Sequence, residues 1–314
     1  MLLGEFGLLT DASAQVWPLK PIRLIVPYAA GGGIDVVARL ISGPMASSLG
    51  TSVIVENKPG AGGRIGEEFV AKSSPDGQVI LVAPSGITIT PALIQNLPYR
   101  TTTDFLPVTQ LVATMNLLVA SPQSNISTIS DLLVQARAKP GTINYGHPGV
   151  GTSLQLGMEL FRSKANIEIQ GVPYKGDGPI ATALMSGEID LAAVAFSNSI
   201  LQAISTGRLK AIGVSSRRRS TALPEVPTYT EAGVEVEHIS WYGLFVSAKT
   251  PKSIVNAINY EAIKALRIPE VKSAILAMGQ EPVGNSPEEF EIRFRSDIEK
   301  FSFLIKNSGI PLQK

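Results

Sequence analysis

Short apolar runs alternate with amphipathic segments along most of this chain. Apolar runs rich in Val, Ile and Leu are typical of buried strands, whereas apolar positions that recur every three to four residues predict helices. The first part of the chain therefore predicts a strand–helix–strand–helix–strand series. Its strands are expected at Ile22–Val26, Val53–Glu56 and Val79–Ala83, and its helices at Val36–Leu49 and Ile65–Lys72.

A second series of strands and helices follows. In order, the pattern predicts extended segments at Val108–Ala113 and Asn116–Ala120, a helix that begins after Thr128 or Ser130 and ends at Ala138, a strand at Thr142–Tyr145, a helix at Leu154–Lys164, a strand at Glu168–Val172, a helix at Pro179–Ser186, a strand at Asp190–Ala195, a helix at Ser199–Thr206 and strands at Lys210–Val214 and Trp241–Ser247. Helices at Ile254–Arg267, Pro269–Met278 and Pro287–Lys306 are expected to close the chain. Alternating strands and helices indicate an α/β fold with mostly parallel sheets and right-handed crossovers.

The two series predict two α/β lobes. The three closing helices have no sheet of their own, so we expect them to pack on the first lobe, and the chain then crosses between the lobes twice. The expected division is 17–120 plus 245–314 for the first lobe and 121–244 for the second. Two crossovers make a hinge, and hinged lobes close around ligands.

Composition narrows the function. The formal net charge of +1 gives no reason to expect nucleic acid as a partner. The chain has no cysteine, which excludes disulfides, thiolate metal sites and cysteine nucleophiles, and its two histidines exclude a histidine-rich metal site. No Gly-x-Ser-x-Gly elbow occurs, and a Ser-His-Asp triad would need His147 or His238 to be placed by chance. We therefore expect no metal, no other cofactor and no catalysis.

The N-terminus has features of a secretory leader. Residues 2–9 are apolar apart from Glu5, and Ala12–Ala14 has the small-x-small pattern of a signal-peptidase site. The segment has no Lys or Arg, so it corresponds to a shortened signal, and residues 1–16 are expected to be a degenerate leader. No later stretch is long and apolar enough to predict a membrane span.

A glycine-rich turn lies between a predicted strand and a predicted helix in each lobe, at residues 27–35 and at residues 146–153. Each turn places a helix N-terminus, with N–H groups that lack intrahelical partners, just past a strand. Glycine lets a ligand approach that backbone closely. Neither turn has the spacing of a dinucleotide-binding or P-loop motif. Together they predict a cleft that holds an anion from both sides.

A series of short motifs carries a family resemblance from Trp17 to Ile310. In order, these motifs are Trp17–Pro18, Lys20–Arg23, Val26–Tyr28 with Gly31–Gly33 and Asp35, Ala38–Arg39, Val55–Gly63, Ser74–Gly77, Asn96–Tyr99, Val172–Gly176, Gly187 with Ile189–Asp190, Leu223–Thr228 and Glu231–Gly233. Each motif is weak alone, but in this order and spacing the chain resembles the periplasmic solute-binding proteins of tripartite tricarboxylate transporters, the Bug family.

The resemblance implies a two-lobed, periplasmic "Venus flytrap". We expect no cofactor, and the sequence does not indicate the oligomeric state, for which a monomer is the default expectation. The implied ligand is a small organic carboxylate, held by backbone amides, hydroxyls and waters, and the implied partners are the permease subunits of a transporter. The candidate ligand-binding residues are Tyr28, Ala29, Ala30, Gly31, Gly32, Ser85, His147, Gly151, Thr152, Ser153, Tyr174, Lys175, Gly176, Asp190 and Phe196.

The chain departs from the family pattern in the expected pocket. Ile34 stands where a threonine usually follows the glycines, and the second turn contains His147 and is followed by Gln155. The identity of the carboxylate therefore stays open among di- and tricarboxylates, amino acids and aromatic acids. A flytrap that signals to a sensor kinase is an alternative function. An enzyme on the same scaffold is a third, for which we expect no turnover.

Overall fold

The structure is a computed structural model that describes residues 17–307 and 312. The strands of this part of the chain are β1 (Ile22–Val26), β2 (Val53–Asn57), β3 (Val79–Pro84), β4 (Phe105–Ala120), β5 (Asn144–His147), β6 (Gln170–Pro173), β7 (Leu191–Ala195), β8 (Lys210–Val214), β9 (Ile239–Ser247) and β10 (Glu281–Pro282). The helices are α1 (Gly33–Leu49), α2 (Arg64–Ala71), α3 (Thr90–Leu93), α4 (Ile129–Ala138), α5 (Ser153–Ala165), α6 (Asp177–Ser186), α7 (Asn198–Ser205), α8 (Lys252–Leu266), α9 (Pro269–Ala277) and α10 (Pro287–Asn307).

The sheet of the first lobe runs in the order β2-β1-β3-β9-β4, with β10 also on β4. β2, β1 and β3 are parallel, with Leu24 opposite Val55 and Ile80. β9 pairs antiparallel with β3 and β4, and β10 pairs antiparallel with β4. The parallel part is the predicted βαβαβ unit, whose helices α1 and α2 supply the crossovers.

The sheet of the second lobe has β6, β5 and β7 parallel. The last residues of β4 lie antiparallel between β7 and β8. β4 therefore belongs to both sheets: it pairs with β9 as far as Met115 and with β7 from Asn116 onwards. The two predicted extended segments are one continuous strand, because β4 simply changes partners where the lobes meet. The expected two-lobed α/β fold is confirmed.

The closing helices pack on the first lobe. Val255 and Ile258 of α8 and Ile275 of α9 are fully or almost fully buried in the same apolar cluster as β1 and α1. Phe290 and Phe294 of α10 pack in a second cluster against β3 and β9. The helix lengths follow the apolar spacing that predicts them.

Local chemistry explains where two of the helices begin. α4 begins after Thr128, whose side chain accepts a hydrogen bond from the Asp131 N–H at 3.0 Å, so Thr128 rather than Ser130 is the N-cap. α1 begins at Gly33, three residues before the predicted start, because Gly32 is still extended. The single-turn α3 and the two-residue β10 were not predicted, since neither is long enough to show a period.

No helix among the described residues is long and apolar enough to cross the hydrocarbon core of a bilayer. The predicted leader, residues 1–16, lies outside the described residues. The domain boundaries at 120 and 245 stay a proposal.

Candidate functional site

A cavity lies between the lobes, where the carboxyl ends of β3 and β7 and the turn after β1 face each other. Its empty volume, including open solvent at its mouth, is about 490 Å³. The lining residues are Tyr28, Gly32, Ile34, Pro84, Thr114, Asn116, Pro148, Thr152, Ser153, Leu154, Gly176, Asp177, Ala195, Ser240 and Tyr242. Crevices at the carboxyl ends of parallel strands are the usual ligand sites of α/β folds.

Three helix N-termini meet at this cavity. Gly32 and Ile34 belong to the start of α1, Thr152 and Ser153 to that of α5, and Asp177 is the first residue of α6. The first N–H groups of a helix have no intrahelical partner and carry partial positive charge. The lining therefore attracts anions, although it includes no Lys, Arg or His.

The lobes touch each other beside the cavity. The Ala29 N–H donates to the Lys175 carbonyl at 3.1 Å, and Arg64 Nη1 donates to the Val150 carbonyl at 3.2 Å. Gly149, with φ of +130°, lies so close to Gly62 that an added Cβ would be 2.6 Å from the Gly62 Cα. Glycine is needed at this contact for both its backbone angle and its lack of a side chain. The structure is thus a closed form of the two lobes.

A buried carboxylate holds the first turn in place. Asp35 is 2% exposed and accepts hydrogen bonds from the Gly31 N–H, Arg39 and Asn57 at 2.9–3.0 Å. Burial opposes ionisation of this group, but the three donors outweigh it and lower the pKa of Asp35. Asn57 also donates to the Tyr28 carbonyl at 3.0 Å. Asp35 therefore fixes the backbone beside the cavity, in the structural role expected of a first-turn aspartate.

A chain of buried hydroxyls crosses from the second lobe to the first. His238 Nε2 lies 2.6 Å from Ser153 Oγ, which donates to Ser240 Oγ at 3.1 Å, and Ser240 Oγ lies 2.7 Å from Ser85 Oγ. Ser153 and Ser240 line the cavity. Each hydroxyl can both donate and accept, so a change of partner within this chain could direct a donor towards a bound anion.

Among the described residues, no carboxylate is seen to complete the contact between Ser153 and His238 as a hydrolytic triad. Asp297 Oδ2 accepts from Trp241 Nε1 at 2.7 Å and from Arg293 Nε at 2.8 Å instead. Burial, followed by the nearby Lys300, lowers the pKa of His238 to about 4. The imidazole is therefore neutral at pH 7 and a weak base, which suits a fixed hydrogen-bond partner better than a general base.

Asp177 is the ionisable carboxyl group of the cavity lining. The residue is 9% exposed, and its Oδ1 is buried with no hydrogen-bond partner in the described part of the chain. Burial raises the pKa of Asp177 to about 7, although the backbone N–H groups of Ala195 and Gly33 partly offset the effect. Tyr28 and Tyr242 are also buried, and burial, aided by the Asp177 charge, raises the pKa of both hydroxyls well above the usual value. Both tyrosines therefore stay neutral.

The structure brings five of the sequence-predicted residues to the cavity lining: Tyr28, Gly32, Thr152, Ser153 and Gly176. Ser85 does not line the cavity itself, but its hydroxyl hydrogen-bonds at 2.7 Å to that of Ser240, which does. The two glycine turns thus face one shared cavity, as the sequence analysis expected.

The other predicted residues lie beside the cavity or away from it. Ala30 and Gly31 are exposed, and the N–H groups of Ala29, Gly31 and Gly151 are already used within the protein. His147 is buried, with Nδ1 2.9 Å from the Gly149 carbonyl oxygen, and Phe196 is fully buried. The Lys175 side chain is exposed, and the Tyr174 hydroxyl donates to Glu188 at 2.7 Å.

Asp190 is farthest from its expected place. It precedes β7, and its Oδ2 accepts a hydrogen bond from the Asn144 N–H at 2.9 Å at the start of β5. Ala195, at the other end of β7, is the residue that lines the cavity. At about 3.3 Å per residue, five residues separate the two by about 16 Å. Asp190 therefore fastens two strands together at the end of the sheet remote from the cavity.

Sequence reasoning missed the acidic group and most of the β9 contribution. Asp177 could have been found, because it directly follows the predicted contact Gly176 and is the first residue of α6. Tyr242 and Ser240 could not be found in this way, because β9 reaches the cavity only through long-range pairing with β4 and β3.

The fold and the cavity define a two-lobed binding protein of the periplasmic binding-protein type. Residues 37–310 match the family described as "Tripartite tricarboxylate transporter family receptor". Protein BugT from Bordetella pertussis is 31% identical over 316 residues, covering 100% of this chain and 97% of that protein. The chain therefore belongs to the tripartite tricarboxylate transporter receptors of the Bug family, which confirms the resemblance drawn from its motifs.

Solved structures agree with this assignment. The periplasmic binding protein BugD superposes with a TM-score of 0.90 and 30% identity, over 95% of this chain and 100% of that one. MatC from Rhodopseudomonas palustris, solved with bound malate, has a TM-score of 0.87 and 30% identity, over 92% of this chain and 100% of MatC.

Proposed function

We propose that this protein is a periplasmic solute-binding protein that captures a small organic carboxylate between its lobes and delivers it to the membrane subunits of a tripartite tricarboxylate-type transporter. The observation that carries the proposal is the meeting of three helix N-termini, those of α1, α5 and α6, around one enclosed cavity. The malate bound to MatC is consistent with a carboxylate as the ligand class.

The energetics suit reversible capture. A charge-assisted hydrogen bond to a carboxylate contributes about 1.5–3 kcal/mol. A micromolar Kd corresponds to about −8 kcal/mol, so a few such bonds and the apolar faces of Ile34, Pro84 and Leu154 suffice after the entropic costs of closure. Binding is then tight enough to capture the solute and weak enough to release it to a permease.

Ser153 is the residue we infer to donate a side-chain hydrogen bond to the ligand carboxylate. It lines the cavity at the N-terminus of α5, and its hydroxyl lies between His238 and Ser240. Losing one such donor should weaken binding about tenfold, since tenfold in Kd corresponds to about 1.4 kcal/mol.

The test begins with refolded protein, to remove any ligand carried through purification, and a thermal-shift screen of carboxylates. A ligand that prefers the folded protein raises the melting temperature. Isothermal titration calorimetry with the best ligand then compares wild type with Ser153→Ala. The matched control is Ser163→Ala, an exposed position on the same helix, which should leave Kd unchanged. An equal Kd for both variants would contradict the role of Ser153, and a screen in which no carboxylate binds would contradict the proposed function.

A further inference from the structure

We propose that Asp177 makes this cavity selective for carboxylates that also carry an ammonium group, and disfavours dicarboxylates. The inference rests on the proposed function, because it concerns the ligand class of the same cavity. It starts from a buried side chain at the start of α6, one of whose oxygens has no hydrogen-bond partner among the described residues.

The carboxylate of Asp177 points from the second lobe towards the start of α1 in the first. Its Oδ2 lies 3.4 Å from the place that a Cβ on Gly32 would occupy, and both residues line the cavity. Only 9% of the residue is exposed to solvent, so it is 91% buried. Closure of the lobes therefore places a carboxylate inside the cavity and not on its rim.

One oxygen of this carboxylate is left without a partner. Oδ1 is buried and accepts no hydrogen bond in the part of the chain that the structure describes. A buried, unpaired acceptor destabilises the folded state, and more so when it is charged. A bound ligand with a donor at this point removes that penalty, which identifies Oδ1 as one end of the binding site.

No basic side chain of the lining balances the charge. The titratable groups that face Asp177 from the first lobe are the hydroxyls of Tyr28 and Tyr242, and neither carries a positive charge. The guanidinium of Arg64, which acts on Tyr28, donates to the Val150 carbonyl and is not part of the lining. A second carboxylate of a ligand placed here would meet like charge in a water-poor cavity.

An ammonium group fits the same position. It supplies up to three donors, enough for Oδ1 and for neighbouring acceptors, and it neutralises the carboxylate without a proton being taken up. The ligand's own carboxylate would lie at the N-terminus of α5, near Ser153 and Ser240, which also line the cavity. The two ends of an aminocarboxylate thus have separate partners of opposite charge.

The experiment uses matched pairs of probes on full-length refolded protein. The pairs are 3-aminopropanoate with succinate, 4-aminobutyrate with glutarate, and 5-aminopentanoate with adipate, so that in each pair an ammonium group replaces the second carboxylate on a chain of the same length. Calorimetry at pH 8 compares wild type, Asp177→Asn, and the control Glu168→Gln, which removes the same charge from an exposed site of the same lobe. For the aminocarboxylate that binds most tightly, wild type and Glu168→Gln should each show a Kd at least tenfold lower than for the matched dicarboxylate.

Asp177→Asn should reduce this preference at least tenfold, chiefly by weakening the aminocarboxylate. An Asp177→Ser variant repeats the test should the asparagine variant fail to fold, as judged by circular dichroism. Equal loss of affinity for both members of each pair would overturn the proposal, because it would make Asp177 a contact between lobes only. Tighter binding of dicarboxylates by wild type would also overturn it while leaving the proposed function intact. The proposed function itself fails only if no carboxylate binds to any of these proteins.

Discussion

Substituting Gly33 by alanine should prevent full closure of the lobes without harming either lobe. Gly33 is the first residue of α1, in a helical conformation that alanine adopts readily. A Cβ at this position would lie 2.6 Å from the Phe196 carbonyl oxygen of the other lobe, and 3.1 Å from both Gln280 Nε2 and the Tyr242 hydroxyl. The 2.6 Å clash with the Phe196 carbonyl oxygen therefore arises only when the lobes are closed. Gln280 and Tyr242 belong to the same lobe as Gly33, and the ends of their side chains need to move by only a few tenths of an ångström.

The size of the effect follows from these distances. Ordinary contact begins near 3.4 Å, so the lobes must separate by about 0.8 Å at this point. That shift breaks the hydrogen bond from Gln280 Nε2 to the Phe196 carbonyl, which is 3.1 Å long. Losing this bond, at about 1 kcal/mol, and weakening one charge-assisted contact to the ligand, at about 1.5 kcal/mol, gives roughly a 60-fold rise in Kd.

The assay is calorimetry with the tightest carboxylate, together with small-angle scattering to follow closure. Gly43→Ala is the control, since it lies on the same helix with no atom within 4 Å of its Cβ. It should raise the free energy of unfolding by about 0.5–1 kcal/mol and leave Kd unchanged. Gly33→Ala should be as stable as wild type yet stay more open with ligand. A Kd for Gly33→Ala within twofold of that for Gly43→Ala would refute the reasoning.

Two further predictions concern stability. Burial raises the pKa of Glu67 to about 7, so the folded protein keeps a proton that the unfolded chain releases above about pH 4.5, and stability falls as the pH rises through this range. In denaturant titrations at several pH values, Glu67→Gln should therefore show a smaller fall in stability than wild type. His238, with its lowered pKa, contributes the opposite slope in both proteins. Identical pH profiles for the two proteins would contradict the raised pKa of Glu67. Phe290→Ala should lower the free energy of unfolding by about 3–5 kcal/mol, because Phe290 is fully buried with its ring 5.0 Å from that of Trp241. Ile292→Ala, 72% exposed on the same helix, should change it by less than about 0.5 kcal/mol, and equal losses would contradict the packing.

The secondary structure could be predicted from the sequence wherever a local period was strong. β1 and β8 have the predicted bounds, α5 is longer than predicted by one residue at each end, and α10 is longer by one residue at its C-terminal end. The continuity of β4 could not be predicted in this way. Its two halves meet different partners at Met115 and Asn116, and that pairing depends on segments more than 70 residues away in the sequence.

The site shows the same division between local and long-range information. The glycine turns lead to the cavity because a strand followed by a tight turn and a helix places that turn at the carboxyl end of its sheet. Asp190 was expected near the cavity, although it precedes its strand and thus lies at the opposite end. The position of Tyr242 depends on antiparallel pairing of β9, and no local pattern contains that information.

A site made of helix N-termini distinguishes poorly among carboxylates, because every carboxylate presents the same two oxygens to the same N–H groups. Discrimination must then come from the rest of the ligand, and so from the side chains around the remainder of the cavity. In this protein those side chains include the neutral tyrosines Tyr28 and Tyr242 and the carboxyl group of Asp177, whose Oδ1 has no hydrogen-bond partner among the described residues. The backbone arrangement follows from the fold and, on our proposal, holds the carboxylate, whereas Asp177 at the start of α6 is proposed to decide which carboxylate is bound. The amine selectivity of the wild-type protein is therefore the measurement on which this division of roles depends.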